Sequence, residues 1–147
     1  MIRAALFLMA LSSPVTAQTV DPASLPPVPS ARGLQLFDAI CGDSLPDFAT
    51  APQRMAANGL TTVAATGTVY STRENLSFKV VNGPGAGKTC SMVMGSLDNA
   101  ATFATTMSQI GPFAQTQMGP TAPYRNRNTV AVLGGQPTTV GNINYHN

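Results

Sequence analysis

Between Thr61 and Gly95 the sequence alternates with a period of two, a spacing that suits strands rather than helices. In Leu76–Val80, Leu76, Phe78 and Val80 share one side while Ser77 and Lys79 occupy the other. Asn82-Gly83 is a hairpin-turn dipeptide, because both residues tolerate the backbone of the tight primed turns. After it, Thr89–Gly95 alternates again, with Cys90, Met92 and Met94 on one side and Ser91 opposite. Thr61–Ser71, rich in Thr and Val, predicts a strand that bends at Gly67. Three strands joined by short links form an antiparallel meander, whose apolar side needs a cover.

Helical spacing on either side of this block supplies that cover. Leu34, Phe37 and Cys41, widened by Leu36 and Ile40, make an apolar stripe over Ala31–Cys41, and Gly42 marks its stop. Thr50 and Gln53 have capping-box spacing ahead of a second short helix, Ala51–Asn58, with Pro52 in its first turn and Gly59 beyond its end. Ser44–Asp47 opens a turn before it. Ser96–Ile110 carries Phe103, Met107 and Ile110 on one stripe, with Ser96 or Asp98 as cap and Gly111-Pro112 as stop. Phe113–Asn128 reads as a loop, and Thr129–Leu133 and Thr138–Tyr145 as final strands. The order ααβββαββ predicts an α+β domain, an antiparallel sheet of about four to five strands with helices on one face. No internal repeat is visible.

The N-terminus has the three parts of a secretory leader: Arg3, the apolar run Ala4–Leu11, and small residues at Val15 and Ala17 before Gln18. Eight apolar residues are too few for a membrane span, which takes roughly 20. Cleavage after residue 17 would remove Arg3 and take the formal charge from +2 to +1. Residues 18–30, with four prolines in TVDPASLPPVPS, predict an extended tether, and residues 31–147 a single domain. With 10% charged and 44% apolar residues the chain suits neither wholesale disorder nor nucleic-acid binding. The expected product is soluble, periplasmic and not stably inserted in a membrane.

In an exported protein Cys41 and Cys90 predict one disulfide, since each falls on the apolar side of its element. Asn82–Thr89 (NGPGAGKT) approaches a phosphate-binding loop, but the first required glycine is Asn82 and the residues that follow alternate as a strand instead of opening a helix. A turn explains it better. Tyr124 with Arg125 and Arg127 offers guanidinium forks for a carboxylate or phosphate, or simply a solvated loop. Asp38, Asp43 and Asp47 lie close together in a spacing that matches no calcium loop. Met55, Met92, Met94, Met107 and Met118 suit core filling better than copper binding. His146, the one imidazole, is next to the last residue. No cofactor or metal is expected. Asn75-Leu76-Ser77 matches a glycosylation sequon around an apolar residue that the alternation buries.

The run Phe37-x3-Cys41-x4-Pro46-Asp47-Phe48-Ala49, with Met55–Gly59, Leu76–Val80 and Cys90–Val93, resembles a group of small exported proteobacterial proteins, chiefly alphaproteobacterial. The resemblance implies a bacterial periplasmic home and implies no activity. The residues favour a non-catalytic binding or accessory module whose partner is a periplasmic protein or a small ligand. The expected docking surface is the sheet face that carries Ser77, Lys79 and Ser91. The alternatives are a hydrolase without a histidine base and a metal carrier using Met and His146.

Overall fold

The computed structural model describes residues 21, 24–82, 87–117, 119–134 and 141–146, as backbone alone at 126–130, 134 and 141–146. The fold is α+β, as the segregated periodicities require. Helix α1 (Ser30–Ile40) runs into a 3-10 turn at Gly42–Ser44, and α2 (Ala51–Ala57) follows. Strands β1 (Leu60–Val63), β2 (Thr68–Ser71), β3 (Leu76–Asn82) and β4 (Lys88–Met94) come next. Then come α3 (Ala100–Met107), β5 (Ala114–Thr116), β6 (Gly119–Tyr124), β7 (Asn126–Gly134) and β8 (Gly141–His146).

The eight strands form one antiparallel sheet in the order β1-β2-β3-β4-β8-β7-β6-β5. A helical segment followed by a four-strand meander thus occurs twice, and the two meanders join through their last strands. The sheet is larger than the four to five strands the sequence suggested, for two local reasons. Thr61–Ser71 is two strands, because Gly67 takes a left-handed φ of 64° and reverses the chain where a bend was expected. Gly119, Pro120 and Pro123 disguise β6, and the supposed loop at 113–128 holds β5 and β6. Proline's φ suits an extended strand at the cost of one donor, and each proline of β6 has a register partner on one side only, Pro120 in β5 and Pro123 in β7, where that loss is tolerated.

Alternation decides which face is covered. Leu76, Phe78, Cys90, Met92 and Met94 are almost fully buried and share one core with Leu34, Phe37 and Ile40 of α1, Met55 of α2 and Met107 of α3. Each such side chain contributes about 1.5–3 kcal/mol by leaving water. Helix α1 lies close on β4: a Cβ added at Gly33 would come within 3.5 Å of Met92 Cε and 3.0 Å of Met94 Cε. The described methionines that invited a copper reading are core filler, with Met55, Met92, Met94 and Met107 at most 2% exposed. Met118 and the side chain of His146 lie outside the described residues. So does most of the glycine-rich turn, residues 83–86, but Asn82 pairs with Lys88, and β4, not a helix, follows it.

Two caps differ from the sequence reading. Asn99, not Ser96 or Asp98, caps α3, its Oδ1 accepting from Thr102 N at 2.9 Å. Asp98 caps α1 across 68 residues, its Oδ2 accepting from Ser30 N at 2.7 Å and from Ser30 Oγ. Those two bonds hold its carboxyl below the usual carboxylate range, the hydroxyl bond being the larger cause. The Thr50–Gln53 capping box does not form, because Thr50 takes helical φ and ψ and its side chain caps nothing. The end of the expected tether is docked. Val28 is 2% exposed, its N–H bonds Gly95 O at 2.8 Å, its carbonyl accepts from Leu97 N at 2.9 Å, and Pro26 O accepts from Asn75 N at 2.9 Å.

Candidate functional site

Where α1, the end of α3 and the β6–β7 turn meet, a cleft of about 280 Å³ opens, lined by Leu34, Asp38, Gln109, Ile110, Tyr124 and Arg125. Leu34 and Asp38 stand one helical turn apart on α1, so the same helix offers the cleft an apolar and an acidic group. Gln109 and Ile110 follow α3 in its closing turn, where Ile110 N bonds Met107 O at 3.0 Å. Tyr124 ends β6 at a break in register with β7, and Arg125 takes a positive φ of 49° in the turn. This unusual backbone swings the guanidinium back over the Tyr124 ring, 5.5 Å from its centroid.

Arg125 and Tyr124 are held by two acids on the α1 side. Tyr124 Oη donates to Asp38 Oδ1, and Arg125 Nη2 lies 3.6 Å from the same oxygen. Arg125 Nη1 donates to Asp43 Oδ1 at 2.6 Å. Arg54 adds a fourth charge, its Nη1 3.5 Å from Asp43 Oδ2 and 3.1 Å from the Ala39 carbonyl. These groups are about two-fifths exposed, so each ion pair contributes only about 0–1 kcal/mol. Their value is positional. Burial pushes the Asp38 carboxyl above its ordinary value against the pull of Arg125, and Asp43 adds to the rise. The bond from Arg125 holds Asp43 below the usual range.

The close approach rests on Gly42 and the disulfide. A Cβ at Gly42 would stand 2.5 Å from Tyr124 Oη, 2.8 Å from Arg125 Cζ and 3.0 Å from its Nε. Only a residue without a side chain lets the 3-10 turn sit against this pair. Cys41, just before it, is bonded to Cys90 on β4, with Cα atoms 5.8 Å apart and both cysteines fully buried. The predicted disulfide therefore pins the acid-bearing segment to the middle of the sheet. Phe37 supports the Tyr124 ring edge-on at 6.3 Å.

The site residues suggested by sequence separate into two groups. Tyr124 and Arg125 belong to the cleft, in a strand and its turn and not in a solvated loop, and the carboxylates that Arg125 grips are the chain's own. Arg127 lies in β7, and its side chain is outside the described atoms. Asp38 and Asp43 meet on Arg125, while Asp47 accepts from Ala49 N at 3.0 Å. No group of three potential metal ligands exists among the described residues. Ser77, Lys79 and Ser91 lie on the sheet face away from the helices, Lys79 and Ser91 as register partners. That face is not a plain open surface: Tyr70, Thr89 and Val132 are buried there, and Thr89 and Ser91 already have interaction partners. Gln109 and Ile110 were not singled out as site residues, since nothing near them in sequence signals a cleft. No described helix is long and apolar enough to cross a membrane. Compared with known proteins, the chain matches no family model, no curated protein and no solved structure.

Proposed function

We propose that this chain is a small disulfide-braced binding module, soluble and exported to a bacterial periplasm, which acts by holding a small ligand in the cleft between α1, α3 and the β6–β7 turn. The observation that carries this reading is the make-up of the cleft. Leu34 and Ile110 give it an apolar wall and Asp38, Gln109, Tyr124 and Arg125 a polar one. A disulfide, an aromatic support and an ion-pair network hold that polar wall in place. Pre-organised polar groups beside an apolar surface are what small-ligand sites use to combine orientation with affinity. The sheet face with Ser77, Lys79 and Ser91 is the weaker candidate, because part of it is already engaged.

The test is a fragment screen by amide chemical shifts on the chain starting at Gln18. Ligands that shift residues 34, 38, 109, 110, 124 and 125 together support the reading, and a screen in which these amides stay still refutes it. Intact mass of the protein recovered from the periplasm should show the start at Gln18. A second reading, acid catalysis without a histidine base, draws on the raised Asp38 carboxyl in a cleft. Turnover of ester, amide or glycoside substrates that Asp38→Asn abolishes would support it over binding alone.

A further inference from the structure

We propose that the ligand of this cleft is a small organic ammonium ion, its charged nitrogen on Asp38 Oδ2 and its apolar body against Leu34 and Ile110. This rests on reading the cleft as a binding site, and it adds the charge and shape of the occupant.

The first observation is how Asp38 is used. Both of its contacts, from Tyr124 Oη and Arg125 Nη2, fall on Oδ1, and no hydrogen bond reaches Oδ2 among the described residues. A carboxylate has room for about four donors over its two oxygens, so half of this one remains open in the cleft wall. Arg125, the cation in contact with Asp38 among the described residues, does not fill it. Arg125 makes its short contact, 2.6 Å, with Asp43 and stays 3.6 Å from Asp38.

The second observation is the helices. Asp38 stands in the last turn of α1, and Gln109 and Ile110 lie just beyond the end of α3, so residues at the C-terminal ends of two helices line the same space. Carbonyl ends carry partial negative charge and favour cations. Neither helix has a basic residue in its last turn, and among the described residues the one cation on a carbonyl of either end is Arg54, on Ala39 O of α1. Among the described residues two arginines and two acids balance here, and the partial negative charge of the helix ends nearby adds to the pull on a positive guest. An anion drawn to Arg125 would meet the Asp38 carboxylate in the same wall. A neutral guest would leave the open carboxylate oxygen unpaired, which costs affinity in a site partly screened from water.

The upward displacement of Asp38 agrees with this. The groups that face it are Tyr124 and Arg125 from the β6–β7 turn and Asp43 from the 3-10 turn, with Arg54 of α2 behind Asp43. Burial is the largest cause of the rise, Arg125 opposes it and Asp43 adds to it, and a bound ammonium would act in the same direction as Arg125. Amine binding should therefore weaken as the pH falls through the titration of Asp38.

The experiment titrates the chain from Gln18, its disulfide intact, with phenethylammonium, 2-phenylethanol and 3-phenylpropionate, following amide shifts. The expected result is saturable movement of residues 34, 38, 109, 110, 124 and 125 by the ammonium. The alcohol should bind at least about tenfold more weakly and the carboxylate should give no saturation. Asp38→Asn should reduce ammonium binding about tenfold without changing binding of the alcohol. If that variant does not fold, the pH dependence of ammonium binding to the unaltered chain serves instead, and binding that stays constant down to pH 3 overturns the proposal. Equal or tighter binding of the alcohol or the carboxylate in the cleft overturns the ammonium assignment and leaves the binding module standing. If none of the three moves these amides, the ammonium assignment is overturned, and the fragment screen separately decides whether the cleft binds at all.

Discussion

Gly42→Ala combined with Tyr124→Phe tests whether the cleft owes its shape to a missing side chain. The glycine's φ is not left-handed, so alanine there carries no backbone strain and on entropy alone should stabilise by about 0.4–1 kcal/mol. Packing opposes it. The new Cβ would stand 2.5 Å from Tyr124 Oη, at the end of a rigid ring that is 4% exposed and braced by Phe37. Overpacking of this kind costs roughly 1–3 kcal/mol, so the net loss should be about 1–2 kcal/mol. For a domain of this size that is about 4 °C in Tm per kcal/mol. Tyr124→Phe removes the hydroxyl and its bond to Asp38, a loss of about 1 kcal/mol for a partly exposed pair. In that background the remaining close contacts are to Arg125 Cζ and Nε, the movable end of a side chain 41% exposed. Alanine should then be neutral or slightly stabilising, so the two substitutions should couple by about 1–2 kcal/mol. Urea unfolding of the four proteins, with the disulfide kept oxidised, measures the cycle. Additivity within about 0.5 kcal/mol would refute the argument, since the glycine would then not be making room for the tyrosine.

The disulfide closes a loop between residues 49 apart, and replacing both cysteines by alanine should cost about 4 kcal/mol, read by chemical denaturation. Neither thiol should be labelled in the folded protein before reduction, as mass spectrometry would show. Because Asp98 is held below its usual range, it contributes stability that is present above the ordinary carboxylate value and is lost as pH falls through its lower folded value. Asp98→Asn should therefore lower Tm at pH 7, and the two proteins should converge toward pH 2; parallel curves would deny the cap. A chain begun at Pro29, which keeps Ser30 and its Asp98 cap, loses the burial of Val28 and its two backbone bonds and should be about 2–4 kcal/mol less stable than one begun at Asp21, by urea midpoint.

One-sided alternation made β3 and β4 legible from sequence, because each places apolar residues on the helix side and polar ones away. The cysteines were legible for the same reason. Strand β6 was not, since Pro120 and Pro123 are turn residues by local chemistry and only the neighbouring strands make them part of a sheet. Part of the cleft could be read by residue type: Arg125 with Arg127, beside Tyr124, offered guanidinium forks for a carboxylate or phosphate. What Tyr124 and Arg125 grip did not stand out, because Asp38 lies 86 residues from Tyr124 and Asp43 lies 82 from Arg125. Gln109 and Ile110 enter the cleft only because α3 ends against α1. The docking of Val28 was hidden by the prolines around it, which signal extension without saying what the extended segment touches.

The position of β8 has a consequence for how the molecule is made. The last strand in the sequence lies at the middle of the sheet, bonded to β4 on one side and β7 on the other. A chain emerging from its N-terminus can assemble β1–β4 with α1 and α2, but β5–β7 have no strand of the first meander to pair with until residues 141–146 arrive. The second meander is thus withheld from the first until β8 has been made. A break in synthesis, or a proteolytic cut, anywhere between β7 and β8 would leave two open edges in place of one seam.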